Sequence, residues 1–121
     1  MIGYVTIGTN DIEKSKAFYD ALTAELGGKR TFSNDRMQGY GSKVGAMLAV
    51  CTPHDGKPAT VGNGTMFSFT APSKEMVDQV YAKAISLGAA DEGAPGPRSD
   101  TFYGAYFRDP DGNKLCVFKA G

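Results

Sequence analysis

Tryptophan is absent from this chain, and histidine occurs once, as His54. A site built on several imidazoles within one subunit is therefore excluded. Cysteine occurs twice, as Cys51 and Cys116, far apart and outside any metal-type spacing, so a reducing cytoplasm is the expected compartment. Charge of either sign is not in excess: 13 Lys and Arg balance 13 Asp and Glu. There is no basic stripe to expect a nucleic acid from, and no block of like charge to read as a tail. Apolar runs stay far below the ~20 residues a membrane helix requires. The opening MIGYVTIG enters a strand-like pattern without a basic region or cleavage site, so no export signal is expected.

What is present is a chain of 121 residues, long enough to bury a core as one domain, with 16 glycines scattered as turn formers. Val5 and Ile7 read as a strand, and Asn10-Asp11-Ile12-Glu13 as a helix start, with Asn10 as cap and Glu13 reaching back to its backbone. Ala17, Phe18, Ala21, Leu22 and Leu26 recur at helical spacing until Gly27-Gly28. Strands are expected at 29–33, 37–41 and 46–52. The second half repeats the order: a strand at 65–70, Ser73 as cap, an apolar helix face from Met76 to Leu87, and Gly88 as stop. A short extended piece at 89–92 precedes a loop rich in Gly and Pro, and strands at 101–108 and 114–119 follow. Between these last two, Asp109-Pro110-Asp111-Gly112 has the composition of a tight reverse turn. AFYDALTAELGG overlays on QVYAKAISLGAA, which supports two copies of one βαβββ module in an α+β fold. Module one is residues 1–61 and module two is residues 62–121 of a single domain, 1–121.

Strand alternation assigns the faces. Val5, Ile7, Leu48, Val50, Phe67, Phe69, Leu115 and Val117 form an apolar set suited to lie under the helices. The opposite set is mixed, with Thr6, Cys51, Ser68 and Lys114 among Tyr4, Met47, Ala49, Met66, Cys116 and Phe118. Two curved half-barrels would form a cleft lined by the last six of these, with His54 and Arg98 at its rim.

YVTIGTNDIEKSKAFYDAL at the start and AYFRDPDGNKLCVF at the end resemble the opening and closing signatures of the vicinal oxygen chelate superfamily. This is the group of glyoxalases, bleomycin-resistance proteins and extradiol dioxygenases. The resemblance implies paired βαβββ modules and a homodimer. In members that are metalloenzymes it also implies a divalent metal, held by His or Glu on the first and last strands of each module. Carried onto this sequence, the four ligand positions fall on Tyr4, Ala49, Met66 and Cys116. None is His, Asp or Glu, so no metal and no other cofactor is expected.

The expected role is therefore binding of a small organic molecule in the cleft. The alternative is an enzyme of the lyase, isomerase or dioxygenase type using substituted groups; a third is a domain whose cleft its own side chains fill. No catalytic residue is assigned. Cys116 suits either a thiolate nucleophile beside Lys114 or a small buried apolar residue. His54 before Asp55 suits either an orienting pair or a solvated loop. Tyr4 suits a hydrogen bond to a ligand or plain space filling. Arg98 suits an anionic ligand or an exposed loop. The expected partners are a small-molecule ligand and a second copy of the chain, with neither nucleic acid nor membrane.

Overall fold

The computed structural model describes all residues, Met1–Gly121. The chain divides into two compact units, Met1–Val61 and Gly62–Gly121. The first contains β1 (Tyr4–Gly8), α1 (Ile12–Ala24), β2 (Lys29–Ser33), β3 (Met37–Gly41) and β4 (Met47–Cys51). Its sheet has the order β1-β4-β3-β2, parallel between β1 and β4 and antiparallel elsewhere. The second contains β5 (Phe67–Thr70), α2 (Lys74–Ser86), β6 (Ala90–Ser99), β7 (Phe102–Arg108) and β8 (Lys114–Ala120). Its sheet has the matching order β5-β8-β7-β6, again with only the first pair parallel. The fold is α+β, with one helix and one mixed four-stranded sheet in each unit. In each, the helix carries the chain from the first strand to the far edge, and two antiparallel steps bring it back to pair with that strand.

Both helices have polar caps, but the first differs from expectation. Asp11, not Asn10, is the cap of α1, its carboxylate accepting from the Lys14 amide at 3.1 Å. Glu13 turns to Lys16 instead of reaching back. Asn10 is occupied elsewhere: its Oδ1 accepts from the Ala59 amide at 2.7 Å, and its Nδ2 donates to the Ala59 carbonyl at 3.3 Å. Helix α1 also ends earlier than expected, with Glu25 as its C-cap, and Gly27 supplies the left-handed turn at φ +76°. Ser73 caps α2 by accepting from the Met76 amide at 3.1 Å. Phe18, Tyr19 and Leu22 of α1 are buried, as are Val77, Val80 and Ala84 of α2. A fully buried side chain of the larger kinds contributes about 1.5–3 kcal/mol, so these stripes hold each helix on its sheet.

Carboxylates reinforce the attachment. Asp20 on α1 accepts two bonds from the Arg30 guanidinium of β2, at 2.8 and 2.9 Å, and a third from the Tyr40 hydroxyl of β3 at 2.8 Å. These bonds, the one from Arg30 foremost, hold the Asp20 carboxyl below its ordinary value. Burial, aided by the bond to Asp20, pushes the Tyr40 phenol well up. In the second unit Tyr103 of β7 donates to Asp78 of α2 at 2.7 Å, and Tyr81 of α2 donates to Asp91 of β6 at 2.9 Å.

The stretch expected to be a Gly- and Pro-rich loop is instead strand β6, ten residues long and paired with β7 through several register shifts. Pro95 and Pro97 are tolerated because β6 is the edge of its sheet, where one side of the strand needs no partner. The following turn is built on Asp109, which is buried. Its carboxylate accepts from the amides of Asp111 and Asn113, each at 2.9 Å, and from the Asn113 side chain at 3.0 Å. Gly112, at φ +89°, closes the turn.

Candidate functional site

Contacts with the helices fix which face of each sheet is left bare. In the first unit Tyr40 packs on Tyr19 of α1 and is paired in register with Leu48, which in turn is paired with Val5. Tyr40, Leu48 and Val5 therefore lie under the helix, and so by alternation do Ile7 and Val50. The opposite, helix-free face carries Tyr4 and Thr6 on β1, Met47, Ala49 and Cys51 on β4, and Gly39 and Gly41 on β3. In the second unit Phe107 packs on Tyr81 of α2 and is paired with Leu115, itself paired with Phe67. The helix-free face there carries Ser68, Cys116, Phe118, Lys114 and Tyr106.

The floor of the first unit is made of small residues. Ala49 is fully buried, and its register partners are Thr6 on one side and Gly39 on the other. An aromatic side chain from the edge strand covers it: a Cβ at Gly39 would meet Phe32 Cε1 at 2.7 Å. Phe32 in turn meets Tyr4 edge-on, with ring centroids 5.5 Å apart. Beside them Met47 lies over Gly41, where an added Cβ would meet its Cγ at 2.9 Å. Tyr4 itself is 55% exposed.

The corresponding floor of the second unit is polar. Cys116 is fully buried, with Ser68 and Tyr106 as its register partners. Burial pushes the thiol up, against smaller downward pulls from the side chains of Ser68 and Tyr106 and from the charges of Arg98 and Lys114. A thiol that resists ionisation is a poor nucleophile, so Cys116 has the character of a small buried residue. The Arg98 guanidinium lies 5.3 Å from the centre of the Tyr106 ring and Lys114 Nζ lies 5.7 Å from it, both within cation–π range. Arg98 is pinned from behind, donating to the carbonyls of Ala94 and Gly96 at 2.8 and 2.9 Å. Glu92 pairs with Arg108 at 2.6 Å and reaches Lys114 at 3.5 Å, and the bond from Arg108 holds its carboxyl below the ordinary value. Phe118 stacks on Phe102, with centroids 4.8 Å apart and planes 10° from parallel.

Of the residues expected at the site, Tyr4, Met47 and Ala49 share one helix-free face, and Cys116 and Phe118 share the other. Arg98 joins the second group through Tyr106. Met66 precedes β5, which begins at Phe67, and is 42% exposed. His54 is separate from these, on the loop after β4. Phe32 and Tyr106 were not anticipated. Tyr106 is recoverable from alternation, because pairing β7 with β8 across the Asp109 turn sets it opposite Cys116. Phe32 is not, because β2 is irregular between Arg30 and Ser33 and alternation fails there.

The four positions onto which the family resemblance carries metal ligands are poor in donor atoms. Ala49 has no donor atom, the Cys116 thiol is buried and disfavoured as a thiolate, and the remaining two offer a phenol and a thioether. No group of three or more His, Cys, Asp or Glu side chains is placed to hold a metal ion. A hard or borderline divalent cation demands several oxygen or nitrogen donors, and this set does not supply them.

The profile of the Glyoxalase/Bleomycin resistance protein/Dioxygenase superfamily matches residues 1–117. A glyoxalase/bleomycin resistance protein from Albidiferax ferrireducens is 43% identical, with a TM-score of 0.90, over 98% of this chain and 97% of that one. A protein from S. aureus is 27% identical, with a TM-score of 0.75, over 99% of this chain and 96% of the other. A lactoylglutathione lyase from Agrobacterium tumefaciens is similar in fold, with 23% identity, a TM-score of 0.73 and coverage of 98% and 92%. No curated protein matches the chain.

Proposed function

The chain belongs to the glyoxalase/bleomycin resistance protein/dioxygenase superfamily, and from that premise we propose that it binds a small organic molecule against its helix-free sheet faces without a catalytic metal. The observation that carries this is exposed apolar surface at two of the four positions onto which the resemblance carries metal ligands, Tyr4 and Met66, the other two, Ala49 and Cys116, being buried. Tyr4 is 55% exposed and Met66 is 42% exposed. Phe32 and Met47 lie beside Tyr4, and the helix-free face of the second unit adds the Phe118–Phe102 stack and Tyr106. Aromatic rings and thioethers make adaptable apolar surface, and a small number of polar groups then sets orientation. Here those groups are the Tyr4 and Tyr106 hydroxyls and the Arg98 guanidinium. The protein acts as a dimer of identical chains, as the family resemblance implies. No helix is long and apolar enough to cross a membrane.

An NMR screen of small planar organic compounds against the intact protein tests this. Compounds that bind shift the methyl signals of Met47 and Met66, and Tyr4→Ala weakens them by roughly tenfold, the loss of one well-packed aromatic contact. Binders that leave both methyl groups and the Tyr4→Ala affinity unmoved would place the pocket elsewhere.

A further inference from the structure

The loop that follows β4 in the first unit builds a groove that the helix-free faces do not use. Strands β1 and β4 run parallel and end together, and β3 begins at the same edge of the sheet. Beyond that edge lies an open groove of about 450 Å³, whose lining includes Thr9, Asn10, Arg36, Thr52, His54 and Lys57. Arg36 and Lys57 bring positive charge and His54 an imidazole, and no carboxylate is among the lining residues. Three acids adjoin these residues in sequence: Asp35, before Arg36, is exposed and outside the lining, and the other two are turned to other work. Asp55 Oδ1 accepts from the Lys57 amide at 2.9 Å, and Asp11 caps α1. None of Arg36, His54 and Lys57 takes part in an ion pair. Arg36 donates through Nη1 to the Thr52 carbonyl at 2.7 Å, which fixes the guanidinium while leaving further N–H donors for a ligand.

The loop is already shaped. Gly56, at φ +75°, turns it, with the Gly56 amide donating to the Pro53 carbonyl at 3.1 Å. Asn10 then clasps Ala59 through both backbone groups. Ala59 sits so close over Gly8 that a Cβ there would meet its Cβ at 2.9 Å. A ligand entering such a groove has little ordering to drive, which favours affinity.

We infer that this groove is an anion site for a phosphate group, carried either by free phosphate or by a small phosphorylated molecule. A fork-shaped guanidinium, an ammonium and an imidazole are complementary to a compact phosphate anion. The groove is larger than a phosphate group needs, so a phosphomonoester fills it better than the free ion.

The single imidazole makes the test direct, because His54 gives one side-chain signal in the intact protein. Inorganic phosphate and phenyl phosphate are titrated in turn at one fixed, near-neutral pH. Ionic strength is held constant with chloride. Both shift the His54 signal and the Gly56 amide saturably, and phenyl phosphate binds more tightly. Lys57→Gln, at an exposed side chain, weakens both ligands by roughly tenfold, and Arg36→Lys weakens them by at least as much, because it loses the fork. If Arg36→Lys disturbs the loop, Lys57→Gln still decides. Linear shifts that chloride reproduces, or affinities unchanged in Lys57→Gln, would overturn the assignment.

Discussion

The two units share a topology but cover their sheets with different chemistry. In the first, the floor beside the fourth strand is Thr6, Ala49 and Gly39, and the edge strand leans a phenyl ring over it through Phe32. In the second, the same register positions hold Ser68, Cys116 and Tyr106, and the edge strand leans a guanidinium over them through Arg98. The edge strand itself has 5 residues in one case and 10 in the other. A small floor leaves room that only a large apolar side chain fills. A tyrosine on the floor presents a π face that attracts a cation. One frame thus gives one apolar surface and one polar surface that carries positive charge.

The largest expected contrast lies in the hairpins that join the last two strands of each unit. Asp109 accepts three hydrogen bonds while buried, so Asp109→Ala leaves buried donors unsatisfied and lowers stability by about 3 kcal/mol. The corresponding segment of the first unit is exposed, and there the Ser42 hydroxyl donates to the Val44 carbonyl at 3.1 Å. Ser42→Ala changes stability by less than about 0.5 kcal/mol. Urea midpoints of the two variants check the pair, and equal effects would break the contrast.

Next in size is the floor of the first unit. Gly39→Val drives a side chain into Phe32 and Thr31, both 2.7 Å from the added Cβ, and costs about 1–3 kcal/mol. Adding Phe32→Ala to Gly39→Val makes room for the new side chain, so a double-mutant cycle gives a coupling of at least about 0.5 kcal/mol. Strict additivity would mean that Phe32 does not cover that position.

The smallest effect concerns acid. Asp20 has a lowered carboxyl in the folded protein, so the stability it contributes is present above the ordinary value of 3.8 and is lost as pH falls below it. The side chain is 41% exposed, so solvent screening keeps the contribution below about 1 kcal/mol. Arg30→Met removes the main cause and flattens this part of the stability–pH curve, measured by denaturation between about pH 5 and 2. An unchanged slope would assign the acid sensitivity to other carboxylates.

Much of the frame was legible in the sequence, because its signals are local. Glycine stops, the Ser73 cap, period-two alternation and the Asp109 turn each act within a few residues. The misplaced features involve competition or distance. Asn10 and Asp11 are both good caps, and the choice was decided by Ala59, which occupies Asn10 from 49 residues away. The composition of Ala94-Pro95-Gly96-Pro97 reads as a loop, yet an edge position lets these residues pair on one side. The covering residues were hardest to foresee. Phe32 reaches its place only through an irregular strand, and Arg98, expected at a rim, meets the Tyr106 ring through a bulged one. Family resemblance pointed to Tyr4, Ala49, Met66 and Cys116, but the complete burial of Cys116 depends on packing that no motif encodes.

Elemental analysis of untagged protein, paired with thermal melts in added Zn²⁺, Ni²⁺ and Mn²⁺, tests the central claim most directly. A phenol, a methyl, a thioether and a buried thiol form too weak a donor set to retain a divalent ion. The account predicts well below one metal per chain and melting temperatures unmoved by any of the three ions. One equivalent of a divalent metal retained through purification, with a melt that falls when it is stripped and recovers when it is returned, would contradict it.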